Sequence, residues 1–305
     1  MVKNRILITG GSGLLALNWA YAMREKHLII LGLHQRKISL TGTQIALLYL
    51  ESLDNLSRQF EVLQPEIVVH TAGLTNVEKC QLDPILAYQL NVVLATNIAK
   101  ICTIFKVPLI HISTDHLYSG YSSFADESLL TSPVNVYGST KAEAELRVLD
   151  ENPEALVIRT NFFGWGTNYR LSFSDFVMHK LREKKEIELF DDVFYTPILI
   201  GVLAQAVHDL IAMKAKGIFN IVGGQRISKH VFGVTLAKVF GLDDALIKPT
   251  QIAMKSLLVK RPLDMSLNNK KAVSFLGREL GTIEDYLTQL RQQEKDGMTK
   301  ELGNL

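Results

Sequence analysis

Near its N-terminus the chain reads Thr9-Gly10-Gly11-Ser12-Gly13-Leu14-Leu15-Ala16, directly after an apolar run at 5–9 and before a helical run to about Lys26. Glycines at these spacings let the backbone turn sharply out of a strand and leave free amides at the start of the helix, where a pyrophosphate is stabilised. The pattern fits GxGxxA from Gly11 or GxxGxxA from Gly10, and by itself it also fits an ordinary tight strand-to-helix turn. Its place behind an N-terminal strand points to the dinucleotide-binding start of a parallel sheet.

The rest of the first half repeats that rhythm. Short β-branched or leucine runs at 28–33, 66–71, 108–113 and 156–159 alternate with amphipathic stretches such as 55–63 and 85–105. Parallel strands covered on both faces read this way. One more strand is expected at 217–222, while 172–185, 197–213, 229–240, 252–259 and 283–293 are mostly helical in pattern. The expected fold is therefore α/β: a Rossmann-type doubly wound parallel sheet with a smaller, helix-rich C-terminal substrate domain. Residues 1–160 and 187–222 are assigned to the nucleotide-binding domain, 161–186 and 223–295 to the substrate domain, and the polar last ten residues from Asp296 to a frayed tail.

Charge narrows the partners. Lys plus Arg number 33 and Asp plus Glu 31, a net charge of +2, which lacks the cationic excess that displaces counterions from a nucleic acid. The stretch at 197–213 is interrupted by Gln205, His208 and Asp209, short of the ~20 apolar residues of a membrane span, so no membrane partner and a cytoplasmic protein are expected. Cys80 and Cys102 read as buried apolar residues, and no side-chain cluster argues for a metal.

At the end of the second strand, where an acid would accept the 2′-hydroxyl of an NAD ribose, the sequence is His34-Gln35-Arg36-Lys37. A cationic group suits a 2′-phosphate, so Arg36, with Lys37 or His34 beside it, favours NADP, with NAD as the alternative. Further along, Ser113-Thr114-Asp115-His116 ends a strand and Tyr137 precedes Lys141 by four residues, which places both on one helix face. A phenol near pKa ~10 is a reluctant acid–base; a cation roughly 4 Å away at an effective dielectric of ~20 contributes about 4 kcal/mol, enough to bring it near 7. On this reading Lys141 tunes Tyr137.

Six separated stretches, TGGSGLLA, QPEIVVHTAG at 64–73, STDHLY at 113–118, YGSTKAEAE at 137–145, RTNFFGWG at 159–166 and RPLDMSLNNKK at 261–271, resemble the extended short-chain dehydrogenase/reductases. Within that group the chain resembles the dTDP-4-dehydrorhamnose reductase family of sugar-nucleotide reductases. The resemblance implies Thr114, Tyr137 and Lys141 as catalytic residues, with Lys141 also holding the nicotinamide ribose and Thr114 donating to the carbonyl oxygen. It implies a cofactor site at Gly10, Gly11, Ser12, Gly13, Leu14 and Leu15, with Leu50, Ala72, Gly73 and Asn91 further along. It also implies a nucleotide-sugar substrate touching Thr75, Asp115 and the aromatic residues Phe162, Phe163 and Trp165, with Arg261 on its diphosphate, and a homodimer. The aromatic residues fit equally a packed cluster between domains, Asp115 a cap on the loop that follows, and Arg261 a salt bridge.

Dehydratases of the same superfamily carry an acidic pair after the threonine. The second position here is His116, so the base for elimination is missing and simple reduction remains. Tyr49 ahead of Leu50, His70, Gly73 and Ala144 depart from the family pattern. The resemblance leaves two alternatives: a non-catalytic, NADP-binding regulatory subunit like that of methionine adenosyltransferase, and a sugar-nucleotide epimerase.

Overall fold

The computed structural model describes residues 3–255 and 259–305. Its centre is a seven-stranded sheet in which every neighbouring pair is parallel. The strands are β1 (Arg5–Thr9), β2 (Leu28–Leu33), β3 (Thr43–Leu47), β4 (Ile67–His70), β5 (Leu109–Ile112), β6 (Leu156–Arg159) and the late strand Gly217–Asn220. Their order runs Gly217–Asn220, β6, β5, β4, β1, β2, β3. The chain winds outward from β1 to β3, returns to β4 on the other side of β1, and winds outward again. The crevice above β1 and β4 is therefore the switch point at which doubly wound sheets bind ligands.

Alternation within each strand divides the core in two. Ile6, Ile8, Leu31, Val69 and Ile110 face α1 (Leu14–Met23) and the C-terminal half, whereas Leu7, Ile30, Val68, Leu109 and Val157 face the helices Leu53–Leu63, Leu94–Phe105 and Val136–Glu151. The first of these clusters continues without a break into Leu203, Val207, Phe232 and Leu287. The helix-rich half thus shares its core with the sheet.

Several expectations need correction. β3 has no counterpart in the sequence reading: as an edge strand it keeps Ile45 and Leu47 exposed and lacks the uninterrupted apolar run of its neighbours. The segment at 85–105 is Pro84–Tyr88, a π-helical turn at Gln89–Val93, and Leu94–Phe105. That run is long and apolar enough to cross a membrane, yet half of it is buried in the fold. Ile187–Phe190, assigned above to the nucleotide domain, pairs with Ile247–Thr250 outside the main sheet. Of 252–259, Ile252–Met254 is a 3-10 turn and residues 256–258 lie outside the described residues. The tail does not fray: Met298–Gly303 is a helix that buries Met298 and Leu302, and Glu301 takes a bidentate ion pair from Arg24 at 2.6 and 2.9 Å. Two apolar residues among polar ones gave too weak a pattern to show this.

Candidate active site

The glycine turn is built for close approach. Gly10 has φ +67°, and a Cβ there would stand 2.9 Å from the Ala72 backbone at the end of β4. Gly13 caps α1 from an extended conformation with no side-chain hydrogen bond, and the helix has no acid in its first turn. Its leading amides are therefore left for an anion. The turn opens onto a groove of about 1130 Å³ that runs from His34 and Arg36, past Gly10–Leu15, to Tyr137 and Lys141. Leu50, Ala72, Gly73, Thr75, Asn91, Phe162 and Phe163 also line it; Lys37, Thr114, Asp115, Trp165 and Arg261 do not.

At the far end, Asn135 caps the helix Val136–Glu151 by accepting from the Gly138 amide at 2.9 Å, and its own amide donates to the Lys260 carbonyl at 3.0 Å. A Cβ at Gly138 would lie 2.3 Å from the His116 carbonyl oxygen, so only glycine lets this helix pack so tightly on the strand-end loop. The approach places Tyr137 edge-on to the His116 ring at 5.5 Å, beside the Thr114 hydroxyl. Burial pushes the Tyr137 phenol up to about 12, with the neighbouring Thr114 hydroxyl opposing.

Lys141, one turn on, is buried and donates to the Ile112 carbonyl at 2.6 Å, with His111 Nε2 at 3.4 Å. Burial lowers it to about 8, with Glu145 opposing. This corrects the expected tuning: the ammonium is held by β5, and the tyrosine is not drawn toward 7. Beside it, desolvation and the Lys141 charge hold His111 well below its ordinary value and His70, stacked on it at 5.5 Å, down to about 3. His70 Nδ1 pairs with the Thr9 hydroxyl at 2.8 Å.

Asn91 ties the site together. It accepts from the Leu74 amide at 2.7 Å and donates to the Leu74 carbonyl at 3.1 Å and to Thr140 at 3.0 Å, joining the loop after β4 to the helix of Tyr137 and Lys141. It sits in the π-helical turn, a distortion often found at functional sites.

The substrate side differs from expectation. Trp165 is buried, donates its indole N–H to the Leu290 carbonyl at 3.2 Å and packs edge-on to Phe240, so it has no free face for a ligand. Phe163 is likewise engaged with Phe232 and Tyr286, leaving Phe162 as the half-buried ring on the groove. Arg261 forms an ion pair with Glu78. Asp115 accepts from Thr114 at 3.2 Å and from Asn161. Lys229 stands 3.3 Å from the centre of the Tyr195 ring, and burial lowers it to about 8 although Asp115 favours its charge.

The sequence reading missed Tyr169 and Arg170. They sit in the loop after the RTNFFGWG stretch and reach back over the groove, Tyr169 to the Ser12 carbonyl at 2.9 Å and Arg170 to Thr75 at 2.8 Å. Neither belongs to a periodic pattern, and their partners lie 157 and 95 residues away.

Comparison with known proteins agrees with this architecture. Over 296 residues, 95% of this chain and 98% of the other, it is 27% identical to a probable low-salt glycan biosynthesis reductase of Haloferax volcanii. It is 27% identical over 265 residues to methionine adenosyltransferase 2 subunit beta of Rattus norvegicus, covering 81% of this chain and 75% of that one. The crystal structure of dTDP-4-dehydrorhamnose reductase from Bacillus anthracis in complex with NADP superposes with a TM-score of 0.85 at 21% identity, over 96% of this chain and all of the other. The RmlD substrate binding domain model matches residues 4–295, nearly the whole length, and on that match the chain belongs to this family.

Proposed function

We propose that the protein is an NADPH-dependent reductase of a 4-keto-6-deoxy sugar nucleotide, with Tyr137 as proton donor. The observation that carries this reading is that one groove has an uncapped, acid-free helix start at one end and Tyr137 with Lys141 at the other. The residues present suit NADPH: Gly10–Leu14 would take its pyrophosphate, and Arg36, with no carboxylate at the end of β2, its 2′-phosphate. NAD remains the alternative nicotinamide. When bound, the cofactor supplies hydride to the keto carbon.

The chain's own residues handle the oxygen. Tyr137, held protonated by burial, gives its proton to the oxygen as negative charge develops there, and Thr114 donates a hydrogen bond to the same atom. Lys141, held on the Ile112 carbonyl, anchors the nicotinamide ribose. Phe162 faces the sugar nucleotide. His116, neutral and edge-on to Tyr137, supplies no carboxylate for elimination.

The test is an NADPH-oxidation and mass-spectrometric screen against dTDP-, GDP-, UDP- and CDP-linked 4-keto sugars. One of them is expected to turn over, and Tyr137→Phe to lower turnover by roughly 100-fold or more while leaving NADPH binding nearly intact. Retained turnover in that variant overturns the assignment. The similarity to methionine adenosyltransferase 2 subunit beta supports a second reading, a non-catalytic regulatory subunit. Co-purification with a partner enzyme and no oxidation across the panel would establish it instead.

A further inference from the structure

The guanidinium of Arg36 lies 3.9 Å from the centre of the Tyr169 ring, and the Tyr169 hydroxyl donates to the Ser12 carbonyl in the glycine turn. Arg36 is otherwise exposed at the end of β2 and has no ion pair among the described residues. Tyr169 is held from both sides. Thr167 and Arg170 close a tight turn through reciprocal backbone bonds of 2.9 and 3.2 Å, and Arg170 donates to Thr75 on the opposite wall of the groove. A ring on a pinned turn thus fixes a cation that would otherwise sample many rotamers.

We propose that Tyr169 is a specificity-determining residue for the cofactor: its ring holds the Arg36 guanidinium in place, so that a ribose 2′-phosphate meets a preorganised cation and NADPH is favoured over NADH. The proposal rests on the reading of Arg36 as the 2′-phosphate ligand. An unrestrained arginine loses side-chain freedom on binding, and stacking on an aromatic face removes part of that loss in advance. The ring occupies one face of the guanidinium, and its edge N–H donors remain free for phosphate. The two halves of the molecule are thereby joined in cofactor choice: the strand-end arginine comes from the sheet, and the residue that orients it from the loop after β6.

The experiment is direct titration of NADPH and of NADH, followed by intrinsic fluorescence or calorimetry, on the full chain and on Tyr169→Leu, Tyr169→Ala, Tyr169→Phe, Arg36→Ala and Arg36→Ala/Tyr169→Ala. Tyr169→Leu and Tyr169→Ala are expected to weaken NADPH roughly five- to tenfold and NADH by less than about twofold. Tyr169→Phe, which keeps the aromatic face and loses only the bond to Ser12, should preserve the ratio of the two affinities. Once Arg36 is alanine, removing Tyr169 should not change that ratio further. Equal weakening of both nucleotides by Tyr169→Leu, or none, overturns the proposal while leaving Arg36 in its role. An unchanged ratio in Arg36→Ala overturns the reading of Arg36 itself, and the proposal falls with it.

Discussion

The ammonium of Lys141 lies 3.4 Å from Nε2 of His111, and the His111 ring stacks on His70, its partner in register on β4. Both imidazoles are kept neutral by burial, so His111 can only accept from the ammonium. Lys141 is lowered to about 8, which sets a titration within experimental reach. NADPH affinity should weaken as the pH rises through about 8 and Lys141 loses its proton. His111→Phe, which keeps a ring against His70 and removes the acceptor, should move that midpoint to lower pH. Lys229 is also lowered to about 8, so the assignment depends on Lys141→Met abolishing the transition in a fluorescence titration.

Glu145 and Arg159 join two of the recognisable stretches. The pair is almost fully buried, Arg159 donates to both Glu145 oxygens at 2.7 to 3.1 Å, and its remaining nitrogen donates to the Tyr118 hydroxyl at 2.7 Å. Removing one partner strands a charge in the core, a loss of about 3–5 kcal/mol. Glu145→Leu should therefore lower the urea midpoint strongly, and adding Arg159→Met should recover much of the loss. Additive losses in the double variant would show that the two residues act separately.

Much of this fold could be read from residue patterns, for reasons visible in particular elements. β1, β2 and β6 are covered on both faces, so their apolar runs ended where the strands end. The glycine turn and the Tyr137–Lys141 spacing are local, fixed by one βα junction and one helix. β3 pairs on one side only and shows no such run. The direction of Lys141 depends on a carbonyl 29 residues earlier. Trp165 read as a ligand-stacking ring because its sequence neighbours suit that role; its burial is decided by Leu290 and Phe240, which arrive from distant helices. Tyr169 and Arg36 meet across the groove with no shared periodicity to announce them.

The C-terminal helix carries a prediction of its own. Met298 and Leu302 are fully buried, and burying such side chains stabilises by about 1.5–3 kcal/mol each. Deleting residues 297–305 should cost several kcal/mol in urea unfolding, whereas Glu301→Gln, which loses only the charge opposite Arg24, should cost about 1 kcal/mol or less. A deletion without effect on the midpoint would show that this helix contributes nothing to stability.

One source of acid sensitivity lies far from the groove, at His208; the buried His70 and His111 add theirs. Its Nε2 accepts from the Trp19 indole at 3.1 Å, so the neutral ring carries its proton on Nδ1, and the ring stacks on His27 at 5.0 Å. Burial, reinforced by His27, holds His208 down to about 4. In the unfolded chain the same group titrates near 6.5. Between those values the unfolded state binds more protons, so stability is full above about 6.5 and falls as the pH drops toward 4, by up to about 3 kcal/mol. Protonation at Nε2 would also replace the acceptor of the Trp19 N–H with a second donor. His208→Gln keeps an acceptor without a titrating ring, so its stability should lie below the parent's near pH 7 yet change less between pH 6.5 and 4. Urea midpoints across that range decide it: parallel slopes for the two proteins would place the acid-sensitive group elsewhere, with His70 and His111, also lowered by burial, the next to substitute.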